Sequence, residues 1–307
     1  MKCVICSIAK QENAYLYEWA EYHIELGFSH IYLYDNNDVN GENPAMVFEG
    51  TQIEKYITII DVRGKKYWQL SAYQHCTDTF KYDWCAFIDI DEFITFADDE
   101  ICTISDYLSR FPDIIHSVHL NWLCYGDCGH IHKQKQILSQ YCNPIKPIDF
   151  CFTYDDIEEN AHIKSIIRGG VCCDWRNNEN DFRVTPHTAL YKEGLVANNR
   201  GGVIQNGPFA RKDYTVAYIR HYTTKSLEDY YTKIQRQAAD YDGVVYSIAK
   251  YFRINRLTIR KLIFIKSKGA IPWKSIIYEW LKYRIINYRL PLGFLIKSMP
   301  KQRQEIE

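Results

Sequence analysis

The chain has 307 residues, 47 % of them apolar, and a net charge of -1. So much apolar material supplies a full core and excludes a disordered chain, and near neutrality argues against a nucleic-acid binder. Eleven cysteines, an odd number, and the absence of a leader before the first strand fit reduced, mostly buried thiols in the cytosol better than a disulfide framework. No apolar stretch reaches the length of a membrane-spanning helix.

In chain order, residues 3–8 read as an apolar strand. Asn13 is placed to cap the next helix, whose inner face carries Leu16, Trp19, Ala20, His23 and Ile24 at helical spacing, and Gly27 to end it. Strands follow at 30–34 and 56–60, a helix at 66–80, and further strands at 85–90 and 117–121. Strands recurring about every 27 residues with helical pattern between them predict parallel pairing with crossovers, an α/β sheet. Such sheets bind ligands beyond the carboxyl ends of their strands. Here those ends carry Lys10 and Glu12, Asp35 and Asn36, Asp61 and Arg63, then Asp89 and Asp91. No Gly-x-Gly-x-x-Gly follows the first strand, which argues against a dinucleotide oxidoreductase.

The stretch Trp84-Cys85-Ala86-Phe87-Ile88-Asp89-Ile90-Asp91-Glu92-Phe93 is the centre of the chain. Two carboxylates two residues apart point to one side of an extended backbone. At the carboxyl end of a central strand they are placed to hold Mg2+ or Mn2+ on a diphosphate; the plain alternative is an acidic surface turn.

Further on, Cys124, Cys128, His130 and His132 offer four soft ligands for a structural zinc, at a spacing unlike that of a standard finger. Lys164 and Arg168 flank an Ile-rich strand, either as phosphate contacts or as a solvated edge. Residues 174–181 read as a polar loop suited to a lid. Lys225 stands near the start of a helix at 226–240, with Ser226 as cap and Asp229 three residues on, where its charge meets a diphosphate. Between residues 250 and 301, 13 Lys/Arg face one acid, Glu279, about +12, which leaves about -13 for the remainder. There, Ile259, Leu262, Ile263 and Lys266, and again Ile276, Ile277, Trp280, Leu281 and Arg284, follow helical spacing. Basic amphipathic helices suit an anionic membrane surface; the alternative is a helical cap on the catalytic domain. Two units are expected, 1–245 and a basic helical extension, 246–307.

Several motifs carry a family likeness. Ala9-Lys10-Gln11-Glu12, Tyr15-Leu16-Tyr17-Glu18-Trp19, Tyr22-His23, Leu26-Gly27-Phe28 and Tyr32-Leu33-Tyr34-Asp35-Asn36 open the pattern. Gln69, Ala72-Tyr73, Cys76, the Asp89-Ile90-Asp91-Glu92 motif, Asn121-Trp122, Gly126 and Gly129 continue it. Lys164-Ser165-Ile166, Pro186-His187, His221-Tyr222, Lys225-Ser226 and Lys233 complete it. In order and spacing this resembles glycosyltransferase family 92 and its bacterial relatives near glycosyltransferase family 2, over residues 3–240.

The resemblance implies a GT-A type, Rossmann-like nucleotide-binding sheet and a nucleotide-sugar donor, a UDP-sugar such as UDP-galactose. It also implies a commonly inverting transfer to a glycan or lipid-linked saccharide, in bacterial surface polysaccharide synthesis. On that footing Asp35 or Asp61, with Gln69, binds base or ribose. Asp89 and Asp91, with His221 or its rival His187, hold Mn2+ or Mg2+. Lys164, Arg168 or Lys225 meets the diphosphate. The catalytic base is one of Glu92, Asp127, Asp174 and Asp181, although relatives carry a small neutral residue at the place of Asp127. The expected location is cytoplasmic, peripheral on the inner face of the membrane through the basic extension. A nucleotide-sugar hydrolase or nucleotidyltransferase, and a non-catalytic membrane-surface scaffold, are the competing classes.

Overall fold

The computed structural model describes residues 1–145, 159–176, 185–236, 248–255 and 258–268. Its first half alternates strand and helix: β1 (Cys3–Ala9), α1 (Asn13–Glu25), β2 (His30–Asp35), α2 (Ala45–Phe48), β3 (Ile57–Asp61), α3 (Gln69–Thr79) and β4 (Trp84–Phe87). Then follow β5 (Glu92–Phe96), α4 (Ile104–Leu108), the long β6 (Ile115–Cys124), β7 (Ile163–Arg168), β8 (Cys173–Asp174), β9 (Leu190–Tyr191), β10 (Leu195–Asn198), β11 (Val203–Ile204) and β12 (Ala217–His221). Three helices close the described chain, α5 (Leu227–Gln235), α6 (Ile248–Ile254) and α7 (Ile259–Lys268).

The main sheet runs β11-β10-β6-β7-β4-β1-β2-β3, with β12 joined to β6 and β5 to β12. β1 pairs in parallel with β2 and β4, and β2 with β3, as the strand rhythm predicts. The reason for the unbroken apolar runs is visible in β1. Cys3 and Ile5 pack on one face with Leu16, Trp19 and Ala20 of α1, while Val4, Cys6 and Ile8 pack on the other with Leu70, Ala72, Tyr73 and Cys76 of α3. A strand covered on both faces has no polar side to show.

Two expectations about α1 divide. Gly27 does follow the helix, at φ 99, where a side chain would also meet Thr103. Asn13 does not cap it: Glu12 holds the cap position and makes no capping bond, because its carboxylate turns away to Lys225 and Arg236. Ser226 does cap α5, in a reciprocal capping box with Asp229.

The described part of the C-terminal extension packs on α5. Leu227 and Tyr230 of α5 share a buried cluster with Ile248, Tyr251 and Phe252 of α6 and Ile265 of α7. The predicted apolar stripe of α7 splits: Lys261 and Ile265 are the buried positions, while Ile259 and Ile263 are 77 % and 63 % exposed. Residues 269–307, with the predicted stripe at Ile276, Ile277, Trp280, Leu281 and Arg284, lie outside the described residues. No described helix is long and apolar enough to cross a membrane. The described cysteines are free thiols.

Candidate active site

The centre is a tight turn. β4 stops at Phe87, so Asp89 and Asp91 do not lie on an extended strand as the sequence suggested. The Glu92 N–H donates to Asp89 O at 3.1 Å, and the Asp89 N–H donates to Glu92 Oε2 at 2.9 Å, closing the turn from both sides. Asp89 and Asp91 both line an open cleft of about 990 Å3, mouth included, at the carboxyl ends of β1 and β4.

Each carboxylate of the turn meets a lysine. Lys164 Nζ donates to Asp89 at 2.8 Å and stands 3.7 Å from Glu92. Lys233 Nζ donates to Asp91 at 3.1 Å, and His221 Nε2 is 3.6 Å from the same carboxylate. Asp89 also accepts from Gln69 at 2.8 Å and remains 34 % exposed. Burial works against the charge on Asp91, yet Lys233, His221 and Lys225 outweigh it and hold its carboxyl well below the usual range. Glu92 goes the other way: burial pushes its carboxyl well above the usual range, with Lys164 opposing and Asp89 and Asp91 adding to the rise. Burial would lower Lys164, but Asp89 and Glu92 raise it, so it stays a cation.

Asp91, Glu92 and His221 bring ligand atoms within 4.8 Å of one another, all buried. One oxygen of this group, Glu92 Oε1, is buried with no hydrogen-bond partner among the described residues. Two carboxylates and an imidazole with an oxygen to spare fit a divalent cation. This differs from the expected set of Asp89, Asp91 and His221, because Asp89 is drawn toward Gln69 and Lys164. His187 is not part of the group. Its Nδ1–H donates to Ile163 O at 2.8 Å, and burial with the nearby Lys164 charge keeps the ring neutral.

The remaining expected residues divide by position. Lys10, Glu12, Asn36, Gln69 and Lys164 line the cleft. Glu12 is held by Lys225 at 3.2 Å and Arg236 at 2.6 Å, which outweigh its burial and lower its carboxyl. Gln11 and Lys225, at φ 57 and 45, take left-handed backbone on either side of that pair, the sort of local strain that functional sites retain. Lys225 itself binds Glu12 and does not line the main cleft. Asp35 and Arg63 pair with each other at 2.7 Å instead of reaching the cleft, and Arg63 ties down the carbonyls of Val39 and Glu42. Asp61 is exposed and accepts from the Arg63 N–H.

Arg168 is a clear correction. β7 runs antiparallel to β4, pairing Trp84 with Arg168, so the two ends of β7 face opposite edges of the sheet. Lys164 reaches the cleft, whereas Arg168 binds the carbonyls of Phe111, Pro112 and Ile115 and stacks on Trp84 at 4.3 Å.

The base candidates also disperse. Glu92 is fully buried behind the turn, and Asp127 is buried between Tyr251, Lys261 and the Gly129 N–H. Asp174 caps the Arg176 N–H in β8 and does not line the cleft; Asp181 lies outside the described residues. The proposed zinc ligands separate: Cys124 faces His221, His130 faces Gln140 O and His132 faces Glu228. Sequence reasoning missed Arg236 and Glu159 in the cleft, and noted Lys233 without a role. The spacing of Lys233 in the last turn of α5 and Arg236 at its C-cap, three residues apart, was the available signal.

Residues 2–170 match the description glycosyltransferase family 92. No curated protein matches the chain. Among solved structures, HddC from Yersinia pseudotuberculosis is similar at 12 % identity over 80 % of this chain and 85 % of that one, with a TM-score of 0.32. TarS 1–349 from S. aureus is similar at 11 % identity over 97 % of this chain and 76 % of that one, with a TM-score of 0.31.

Proposed function

The chain belongs to glycosyltransferase family 92, and from that premise we propose that its cleft moves a sugar from a UDP-sugar donor to a glycan or lipid-linked saccharide. The sheet is of the GT-A type and the protein is a glycosyltransferase. The observation that carries the finer reading is the Asp89–Asp91 turn set among Lys10, Lys164, Lys233 and Arg236. Four cations around one acidic turn suit a diphosphate, whose leaving charge needs fixed counter-charge in a site of low dielectric.

In this reading the nucleotide lies over β1 to β3, near Lys10, Asn36 and Gln69, and the diphosphate over the end of β4. Asp91, Glu92 and His221 would hold Mn2+ or Mg2+, which supplies Lewis-acid charge to the leaving diphosphate. Lys164 and Lys233 come preset against Asp89 and Asp91, so they add positive charge without reorganising. Gln69 orients Asp89. The transfer is inverting, and the setting is bacterial surface polysaccharide synthesis.

The test is release of nucleoside diphosphate from a panel of nucleotide sugars, with and without saccharide acceptors, in Mn2+ or in EDTA. Acceptor-dependent release that EDTA stops is expected. Release at the same rate without acceptor identifies a hydrolase instead.

A membrane role accompanies this. Ile259 and Ile263 are exposed one turn apart on α7, with Lys266 and Lys268 in its last turn. This suits peripheral binding to an anionic bilayer on its cytoplasmic side, where a lipid-linked acceptor would be presented. Co-sedimentation with vesicles containing phosphatidylglycerol, lost in an Ile259→Ser, Ile263→Ser variant, is the expected outcome. Equal sedimentation by the variant contradicts a role for this edge.

A further inference from the structure

We propose that His187, on the wall of the cleft beside Lys164, determines which sugar is transferred: its bare Nε2 accepts a hydrogen bond from one hydroxyl of the donor's sugar ring. The proposal rests on the glycosyltransferase reading above and names the residue that reads the part of the donor beyond the diphosphate.

Every polar atom of His187 but one is spent on the protein. Its N–H donates to Thr185 Oγ1 at 3.2 Å, and its carbonyl accepts from Ser165 Oγ at 2.6 Å. Nδ1 lies 2.8 Å from Ile163 O. A carbonyl can only accept, so Nδ1 carries the hydrogen and Nε2 is left with its lone pair. Nε2 meets no partner among the described residues, and His187 is only partly buried, on the lining of the cleft. Burial and the nearby Lys164 charge also hold the ring well below its ordinary basicity, so the lone pair is not taken up by a proton.

The position is beside the diphosphate end. Ile163 and Ser165, which hold His187, flank Lys164, whose Nζ donates to Asp89 at 2.8 Å. On its other side the His187 ring meets Trp122 edge-on, with centroids 5.0 Å apart. Trp122 in turn packs on His221 at 3.9 Å, and His221 Nε2 is 3.6 Å from Asp91. His187 is thus one neighbour removed from both carboxylates of the turn. The group that follows the diphosphate on a nucleotide sugar is the sugar to be transferred.

A neutral lone pair also selects its partner. An ionised phosphate or carboxylate has no hydrogen to give it, whereas a sugar hydroxyl has. Lys164 and Lys233 suit the charged part of the donor; His187 suits the uncharged part. The acceptor is held firmly. Thr185 and Thr188 close the turn around His187 with two backbone bonds of 3.2 Å, and Thr188 Oγ1 donates to Asn206 Oδ1 at 2.6 Å. The His162 ring packs against it at 5.1 Å. A donor that lacks the matching hydroxyl leaves this nitrogen unpaired and is rejected for that reason.

The test uses the UDP-sugar that the wild type turns over and its monodeoxy forms, on the wild type, His187→Asn and His187→Gln. The Asn amide takes the place of Nδ1, keeps the bond to Ile163 O and offers nothing at Nε2. The Gln amide reaches the place of Nε2 and gives up the bond to Ile163 O. In the wild type one monodeoxy donor should lose ~10²-fold in kcat/KM. His187→Asn should lose about as much on the full donor, and should turn over the full and that monodeoxy donor within about threefold of each other. His187→Gln should recover at least about tenfold over His187→Asn on the full donor. Calorimetric affinity for the nucleoside diphosphate should stay within about twofold in all three, since the diphosphate end is untouched. A purely structural role predicts the reverse order, with His187→Asn the more active variant. That order, or a wild type that accepts every monodeoxy donor within about threefold, overturns the assignment and leaves the transferase reading standing. A wild type that turns over no nucleotide sugar overturns both.

Discussion

Asp91 and Asp127 are two buried carboxylates, each matched to a lysine from the C-terminal helices, and they do opposite things. Asp91 lines the cleft, where Lys233 of α5 and His221 share it and the neighbouring Glu92 keeps an unmatched oxygen. Asp127 sits in the loop between Gly126 and Gly129, with Lys261 of α7, the Tyr251 hydroxyl and the Gly129 N–H all spent on it, and Asn255 accepting from its own N–H at 2.7 Å. The first group has capacity left for a ligand; the second is closed and clamps the C-terminal helices to the catalytic sheet. A buried Asp–Lys pair therefore does not mark a catalytic site by itself. Access to the cleft and an unsatisfied partner do.

The largest effect that sharpens this contrast is on activity at Asp91. Asp91→Asn should lower transfer ~10²–10³-fold, as removal of a preorganised electrostatic group does, while the melting temperature changes by only a few degrees. A rate near that of wild type would erase the difference between the two regions.

Next comes the closed pair. Asp127→Asn leaves Lys261 buried without its counter-ion and should cost about 3–5 kcal/mol of stability. Lys261→Met should cost a similar amount, and the double variant much less than the two together. Chemical denaturation measures all three. Additive losses would mean that the pair is not coupled, and a loss of turnover in the folded double variant would give Asp127 a place in the chemistry.

The two ends of β7 give a third comparison. Lys164→Met should reduce transfer ~10²-fold through loss of charge beside the diphosphate. Arg168→Ala should leave transfer within about twofold and cost roughly 1–3 kcal/mol, since its guanidinium binds carbonyls, stacks on Trp84 and pairs with the exposed Asp113 away from the cleft. Equal kinetic effects would contradict the antiparallel placement.

The smallest effect is on acid stability. Burial depresses His23 and His119 to about 3, against an ordinary value of 6.5. The unfolded chain takes up protons at both sites below the ordinary value while the folded chain does not. Stability is thus fully present above pH 6.5 and falls as the pH drops from there toward 3. Asp91 is held ionised over that interval, so its own protonation does not lower turnover there. Melting curves and rates between pH 7 and pH 5 separate the two, and a stability that is flat there counts against neutral buried histidines.

Local patterns were legible in the sequence. The apolar runs of β1 to β4, the glycine after α1 and the Ser226–Asp229 capping box all follow from spacing or from residues three apart. The acidic motif was legible as chemistry, though not as a turn. The cation partners were not, because they come from far along the chain: Lys164 is 75 residues from Asp89, and Lys233 is 142 from Asp91. Strand direction was the other hidden variable. The parallel rhythm of the first half gives no hint that β7 enters antiparallel, and that reversal alone puts Lys164 in the cleft and Arg168 at the far edge. Glu159 escaped notice because its short turn carries no periodic signal and is placed by the bonds that Asn160 and His162 accept from Cys124 and Trp122 of β6.

The central claim is that the Asp89–Asp91 turn and its cations form a metal-assisted nucleotide-sugar site. Calorimetric titration of the wild-type protein with a panel of UDP-sugars, first with Mn2+ and then after EDTA, tests it directly. The expected result is binding of one UDP-sugar that is at least tenfold weaker once the metal is withdrawn, corresponding to about 1.4 kcal/mol or more. Binding of equal strength in Mn2+ and in EDTA, or of no nucleotide sugar under either condition, would contradict it.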